Sequence, residues 1–304
     1  MNRSVQELQP FVWSGIALAI PAAWETGELD DGYALLEYGF RPVLELKTAI
    51  IRGRFSFKRH LKQLAKAGKH GPAPHIEAVQ PPPEWPVFPS TIQLETFTWQ
   101  GKRTFGLGLI LFCHTCQRAT LMQIYDRGLA EAPRIVASFR DHDKPSEPSI
   151  AVYDIQATLP ATFGLTGFQF EAGRFSLVFA RSQETITLWR WSPADVMLAG
   201  CGGDLATLVR QNGLLPDIAS PPTRRSADNH VQWQWHRKGP RNRLRDRFRR
   251  RPHDSNHLLR IWHHRPANRI LAVRAVNVED LATFDRICCS YGIIQKENAA
   301  NDAG

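Results

Sequence analysis

Tyr33-Ala34-Leu35-Leu36-Glu37-Tyr38-Gly39-Phe40-Arg41-Pro42-Val43-Leu44-Glu45-Leu46 and Phe175-Ser176-Leu177-Val178-Phe179-Ala180-Arg181-Ser182-Gln183-Glu184-Thr185-Ile186-Thr187-Leu188 read as the same hairpin written twice. In each, an apolar strand enters a polar turn and leaves as a second strand that alternates apolar and polar residues. Tyr33, Leu35, Leu36, Leu44 and Leu46 correspond to Phe175, Leu177, Val178, Ile186 and Leu188, each pair 142 positions apart. A constant offset over both arms of a hairpin is the mark of an internal repeat.

The match continues outward. A helix follows each hairpin, with Ser56 and Asp204 as N-caps. Its apolar stripe is Phe57, Leu61 and Leu64 in the first copy and Leu205, Leu208 and Val209 in the second. Gly68 and Gly213 stand where each helix should stop. Further on, Phe97-Thr98-Trp99-Gln100 matches Trp233-Gln234-Trp235-His236, and Phe112-Cys113-His114 matches Trp262-His263-His264. Strands over 121–125 and 270–276 follow, then closing helices over 133–140 and 279–290. The pattern predicts an α+β fold of two tandem units, each of βββα-βββα order, with helices covering an antiparallel sheet. Expected limits are 1–145 for the first unit, a linker over 146–160, and 161–304 for the second. The proline-dense stretch 72–89 reads as an irregular loop inside the first unit, with 216–229 as its counterpart.

The opening strand carries a family resemblance. Ile16-Ala17-Leu18-Ala19-Ile20-Pro21, followed by Trp24-Glu25, resembles the start of PsbP-like proteins, which open with an alternating strand, a proline and a tryptophan soon after. The element order of both copies is also similar to theirs, although the second copy lacks the proline–tryptophan signature. The resemblance implies a binding or assembly factor rather than an enzyme.

With 43% hydrophobic and 22% charged residues in 304, the chain has the composition of globular protein and can bury a core in each unit. The five cysteines, Cys113, Cys116, Cys201, Cys288 and Cys289, are odd in number and sparse, which argues against a disulfide framework and for a cytoplasmic protein with reduced thiols. The run 11–23 is apolar and ends in Pro21-Ala22-Ala23, in the manner of a secretory leader, but Glu7 offsets Arg3 ahead of it, and the run fits a strand. No stretch reaches the ~20 apolar residues of a membrane-spanning helix.

Charge is the most unusual feature. The offset between copies grows from 136 to 150 between the Trp235 and Trp262 strands. That locates an insertion of ~14 residues, a hairpin loop over about 237–252. Arg237, Lys238, Arg241, Arg243, Arg245, Arg247, Arg249, Arg250 and Arg251 stand there against Asp246 alone, a net +8 in a chain of +9. So many like charges cannot be buried, and guanidinium forks suit phosphates and carboxylates. Polyanion contact is the functional reading of these nine residues, with nucleic acid, an acidic protein or an anionic surface as partner. A solvated loop is the bland one. A second basic run holds Lys58, Lys62 and Lys66 on one helical face, where the wet side of an amphipathic helix is the simpler reading.

Cys113-His114-Thr115-Cys116 on a hairpin turn is half of a zinc knuckle, so Cys113 and Cys116 are candidate metal ligands. No second C-x-x-C or H-x-x-x-H follows at the usual spacing. Gly200-Cys201-Gly202-Gly203-Asp204 precedes a helix but lacks the Lys-Ser/Thr of a phosphate loop, and no dinucleotide fingerprint occurs; no cofactor is implied. Trp233, Trp235 and Trp262 predict one aromatic sheet face, most simply core.

Three functions are therefore expected, in this order: a non-enzymatic binding or assembly protein using the Arg-rich loop on an acidic partner; a cysteine-dependent or metal-binding enzyme using Cys201 or Cys113/Cys116; and a structural subunit of a larger complex. Oligomeric state is not legible.

Overall fold

The structure is a computed structural model. It describes residues 7–66, 75–83, 85–101, 104–142, 149–215, 223–225, 230–237, 255–278 and 280–294. The chain divides into two compact units, Met1–Ile155 with Ile294–Gly304, and Gln156–Ile293.

The first unit opens with a hairpin of β1 (Leu8–Trp13) and β2 (Ile16–Pro21), closed by Ser14 and Gly15, both at positive φ. Such a two-residue turn matches the right-handed twist of its strands. Phe11, Val12, Trp13, Ile16, Leu18 and Ile20 are all buried, so the apolar run that imitates a leader is packed as strand. The short β10 (Ile150–Val152) pairs with β1, and this forms a small sheet of its own.

The unit's main sheet contains β3 (Glu25–Asp30), β4 (Tyr33–Glu37), β5 (Pro42–Ile50), β6 (His75–Val79), β7 (Ile92–Gln100), β8 (Phe105–Cys113) and β9 (Arg118–Tyr125). Its spatial order is β3-β4-β5-β9-β8-β7-β6, antiparallel throughout. Helix α1 (Phe57–Lys66) links β5 to β6, and α2 (Ala132–Ser138) follows β9. Phe97, Trp99 and Ile110 form a core cluster against which Phe57, Leu61 and Leu64 of α1 pack. Gly108 lies under the Phe97 ring; a Cβ there would meet ring carbons at 2.1 Å, so the ring's position depends on the missing side chain.

The second unit repeats this strand order. After β11 (Ile155–Ala157), where the chain passes between units, come β12 (Gly164–Glu171), β13 (Arg174–Arg181), β14 (Glu184–Trp191), β15 (Thr223–Arg225), β16 (His230–Arg237), β17 (Ser255–His264) and β18 (Arg269–Val276). They are ordered β12-β13-β14-β18-β17-β16-β15. Helices α3 (Ala194–Ala199) and α4 (Leu205–Gln211) precede β15, while α5 (Leu281–Ser290) and the short β19 (Gly292–Ile293) follow β18. Leu205, Leu208 and Val209 join Trp189, Trp191, Trp233, Trp235, Leu259 and Ile261 in one cluster. Asp204 caps α4, accepting from the N–H groups of Ala206 and Thr207, and Gly213 at φ +65° follows the helix end.

The fold class differs from the sequence expectation. The protein is mostly antiparallel sheet, arranged in three sheets, and is not an α+β arrangement of βββα-βββα units with helices covering the sheet. The helices are too short for that role. A seven-stranded sheet is roughly 30 Å across at about 4.8 Å per strand, whereas helices of 6 to 10 residues run about 9–15 Å.

Three particulars explain the difference. The strand of Ile16–Pro21 belongs to the small sheet, not to the repeat. Each repeat instead has an additional edge strand, β6 or β15, inside the stretches that read as loops. Proline is excluded from central strands, so proline-dense surroundings hide an edge strand from a pattern search. Finally, the first hairpin is bulged between Leu36 and Glu37. Leu46 faces Ala34, while its counterpart Leu188 faces Leu177, so Ala34 and not Leu35 is the structural match of Leu177.

Candidate functional site

The β16–β17 ladder runs without interruption from His230↔Trp262 to Arg237↔Ser255. The basic segment therefore joins two strands at one end of the second unit's sheet. Lys238, Arg241, Arg243, Arg245, Arg247, Arg249, Arg250 and Arg251 lie outside the described residues; Arg237 is the exposed last residue of β16.

The root of this hairpin is itself cationic. His257 of β17 stacks on Trp235, with ring centroids 4.9 Å apart and planes 5° from parallel, and Arg274 of β18 sits over the same indole at 5.6 Å. Arg274 Nη2 is 3.1 Å from His257 Nδ1, and Ser255 Oγ is 2.7 Å from Nε2. A guanidinium only donates, so Nδ1 is the acceptor and Nε2–H donates to Ser255. Burial, followed by the charges of Arg274, Arg237 and His236, holds the His257 pKa down at about 4. Burial and Arg237 likewise lower Arg274, whose Nε has no hydrogen-bond partner among the described residues. Positive potential thus accumulates where the basic segment begins.

The cysteine pair is completed from an unexpected direction. Cys113 ends β8 and Cys116 precedes β9, on a turn held by His114 N–H donating to Thr91 O and by Gln117 at φ +57°. Asp141 and His142 arrive from beyond α2, on a segment where Arg140 forms a β-bridge with Ala17. One donor atom from each of the four residues lies within 4.8 Å of all the others. Cys113 Sγ is 4.0 Å from His142 Nε2, Cys116 Sγ is 3.5 Å from Asp141 Oδ2, and Asp141 Oδ1 and His142 Nδ1 are 2.7 Å apart. Cys113 and Asp141 are buried and His142 is half exposed. Burial pushes the Cys116 thiol up to about 11, with Cys113 and Asp141 adding to it against a hydrogen bond from the Arg118 backbone. A thiol raised so far is no ready nucleophile. The acid–histidine pair escapes sequence reading because it lies between the closing helix expected over 133–140 and the linker expected over 146–160, where no motif marks it.

The remaining thiols have other surroundings. Cys201 is buried and donates to Gln211 Oε1 at 2.9 Å. Cys288 is core, with its pKa raised by burial to about 12, and Cys289 is exposed. Trp233 and Trp235 share one buried cluster, but Trp262 stands at the opposite phase of its strand and packs edge-on against Tyr291 at 5.8 Å. The expected single aromatic face is therefore split between the two faces of the sheet. Lys58, Lys62 and Lys66 form the exposed side of α1.

No family model and no curated protein matches the chain. Among solved structures, the chain is similar to a Bacteroides thetaiotaomicron protein at 15% identity and TM-score 0.27, over 50% of this chain and 53% of that one. It is also similar to the apo immunity protein TplEi of the T6SS from Pseudomonas aeruginosa, at 10% identity and TM-score 0.36, over 94% and 97%. A third is MucB in complex with MucA(peri), at 7% identity and TM-score 0.20, over 92% and 82%. Likenesses this distant leave function to be read from the residues. No helix among the described residues is long and apolar enough to cross a membrane.

Proposed function

We propose that this chain is a non-enzymatic binding or assembly protein that engages an acidic macromolecule through the basic segment 237–252. The observation that carries the reading is the concentration of charge: nine cations against Asp246 alone, placed between two paired strands. Like charges at that density repel one another, and the root offers no relief, since burial, followed by the charges of Arg274, Arg237 and His236, already holds His257 neutral. An external polyanion supplies the missing countercharge. Arginine outnumbers lysine eight to one in the segment, which favours bidentate contact with phosphate or carboxylate groups.

The cytoplasm is the compartment that fits five cysteines without a disulfide. A cysteine enzyme is the weaker reading, because Cys201 is buried against Gln211 and the Cys116 thiol is raised. The test is binding of the full chain, and of a variant lacking Lys238 to Arg251, to heparin, RNA, DNA, a poly-glutamate peptide and anionic vesicles. Affinity for at least one polyanion is expected, weakening with salt and disappearing with the segment. Equal binding by the two proteins, or none by either, overturns the proposal.

A further inference from the structure

Four donors of metal-ligating type converge in the first unit from two segments of chain, one of each pair buried. Tetrahedral zinc holds sulfur at about 2.3 Å and nitrogen or oxygen at about 2.0–2.2 Å, which sets donor–donor edges of roughly 3.3–3.8 Å. The 3.5 Å between Cys116 Sγ and Asp141 Oδ2 is an edge of this size, and the 4.0 Å between Cys113 Sγ and His142 Nε2 is slightly longer. The ring of His142 faces both partners, with Nε2 toward Cys113 and Nδ1 2.7 Å from Asp141 Oδ1.

We infer that Cys113, Cys116, Asp141 and His142 bind one divalent transition metal, with zinc the ion that two thiolates, an imidazole and a carboxylate suit best. Cys113 Sγ, Cys116 Sγ, one ring nitrogen of His142 and one carboxylate oxygen of Asp141 are the four ligands. Each thiol releases its proton to solvent as its sulfur bonds the metal; no oxidant or reductant takes part. With four protein ligands the site is closed, which makes its role structural. It ties the β8–β9 turn to the segment that Arg140 anchors on β2. The inference is independent of the basic segment and stands or falls without it.

The experiment uses the full chain, purified in reducing buffer without a polyhistidine tag, supplied with zinc and passed through gel filtration. Metal content is then measured, and the cobalt(II) form is studied by absorption spectroscopy. One zinc per chain is expected, with a thiolate-to-cobalt charge-transfer band and the intense d–d absorption of a tetrahedral ion. His142→Ala and Cys116→Ser should lose stoichiometric metal, whereas His114→Ala, on the same turn but outside the cluster, should keep it. His142 is half exposed, so its variant retains the fold by circular dichroism even if the cysteine variant does not. Substoichiometric metal, a cobalt spectrum without the thiolate band, or full retention of zinc by His142→Ala means adventitious metal only and overturns the site. So does a Cys113–Cys116 disulfide formed in place of metal binding.

Discussion

His257 shows how far one residue's chemistry is set by its neighbours. Its pKa is lowered from the ordinary value near 6.5 to about 4 by burial and by Arg274, Arg237 and His236. Below pH 6.5 the unfolded chain takes up a proton that the folded chain refuses, so folding stability falls as pH drops from about 6.5 towards 4 and levels off below. Wild type should therefore lose more melting temperature between pH 7 and pH 4 than His257→Asn, which still accepts from Arg274; parallel losses would contradict the assignment. Asp204 makes a second prediction at this scale. Its carboxylate takes two backbone N–H groups at the start of α4, and Asp204→Ala should lower unfolding free energy by about 1 kcal/mol in a urea titration. This cap is legible in the sequence, because Asp followed by a helical stripe is a local signal. Asp141 and His142 are not: they meet Cys113 and Cys116 only in space, and no spacing rule links the end of one helix to a hairpin turn more than twenty residues earlier.

Among elements, legibility follows burial. Strands whose apolar residues pack into a core, such as β5, β14 and β18, are readable, since Leu44, Leu46, Ile186, Leu188 and Val273 are all but fully buried. The edge strand β6 is not, because its residues are exposed or half-buried and prolines surround it. The hairpin of β4 and β5 is recognisable as an element, yet its sequence match to the second copy is out of register by one residue, which is enough to exchange the two faces of a strand. Core packing gives two predictions here. Phe97→Ala should destabilise by about 3–5 kcal/mol, as an aromatic ring is deleted from a fully buried position. Gly108→Ala, which drives a methyl into the same ring, should lower the urea midpoint by an amount corresponding to about 1–3 kcal/mol. A neutral outcome at Gly108 would mean that Phe97 does not lie across β8 as described.

On the scale of the whole molecule, two units share one seven-stranded order while their connections differ, among them the one that carries the basic segment. Four residues separate β7 from β8, and seventeen separate β16 from β17. The duplicated hairpin and the extra length are both visible in the sequence, through the offset of 142 and the change from 136 to 150, whereas the full strand order is not. The helical cover is not there to find, because a stripe of two or three apolar residues marks a helix without saying that it is long enough to span a sheet. The proposed function rests on this departure from symmetry rather than on the shared scaffold. The most direct measurement is the salt dependence of polyanion affinity for the full chain and for the variant lacking Lys238 to Arg251. Every phosphate that the variant no longer engages should reduce the slope of log affinity against log salt by about 0.7–0.9. A steep slope is expected for the full chain and a shallow one, with weakened binding, for the variant. Identical slopes and affinities in the two proteins would show that the basic segment is not the binding element.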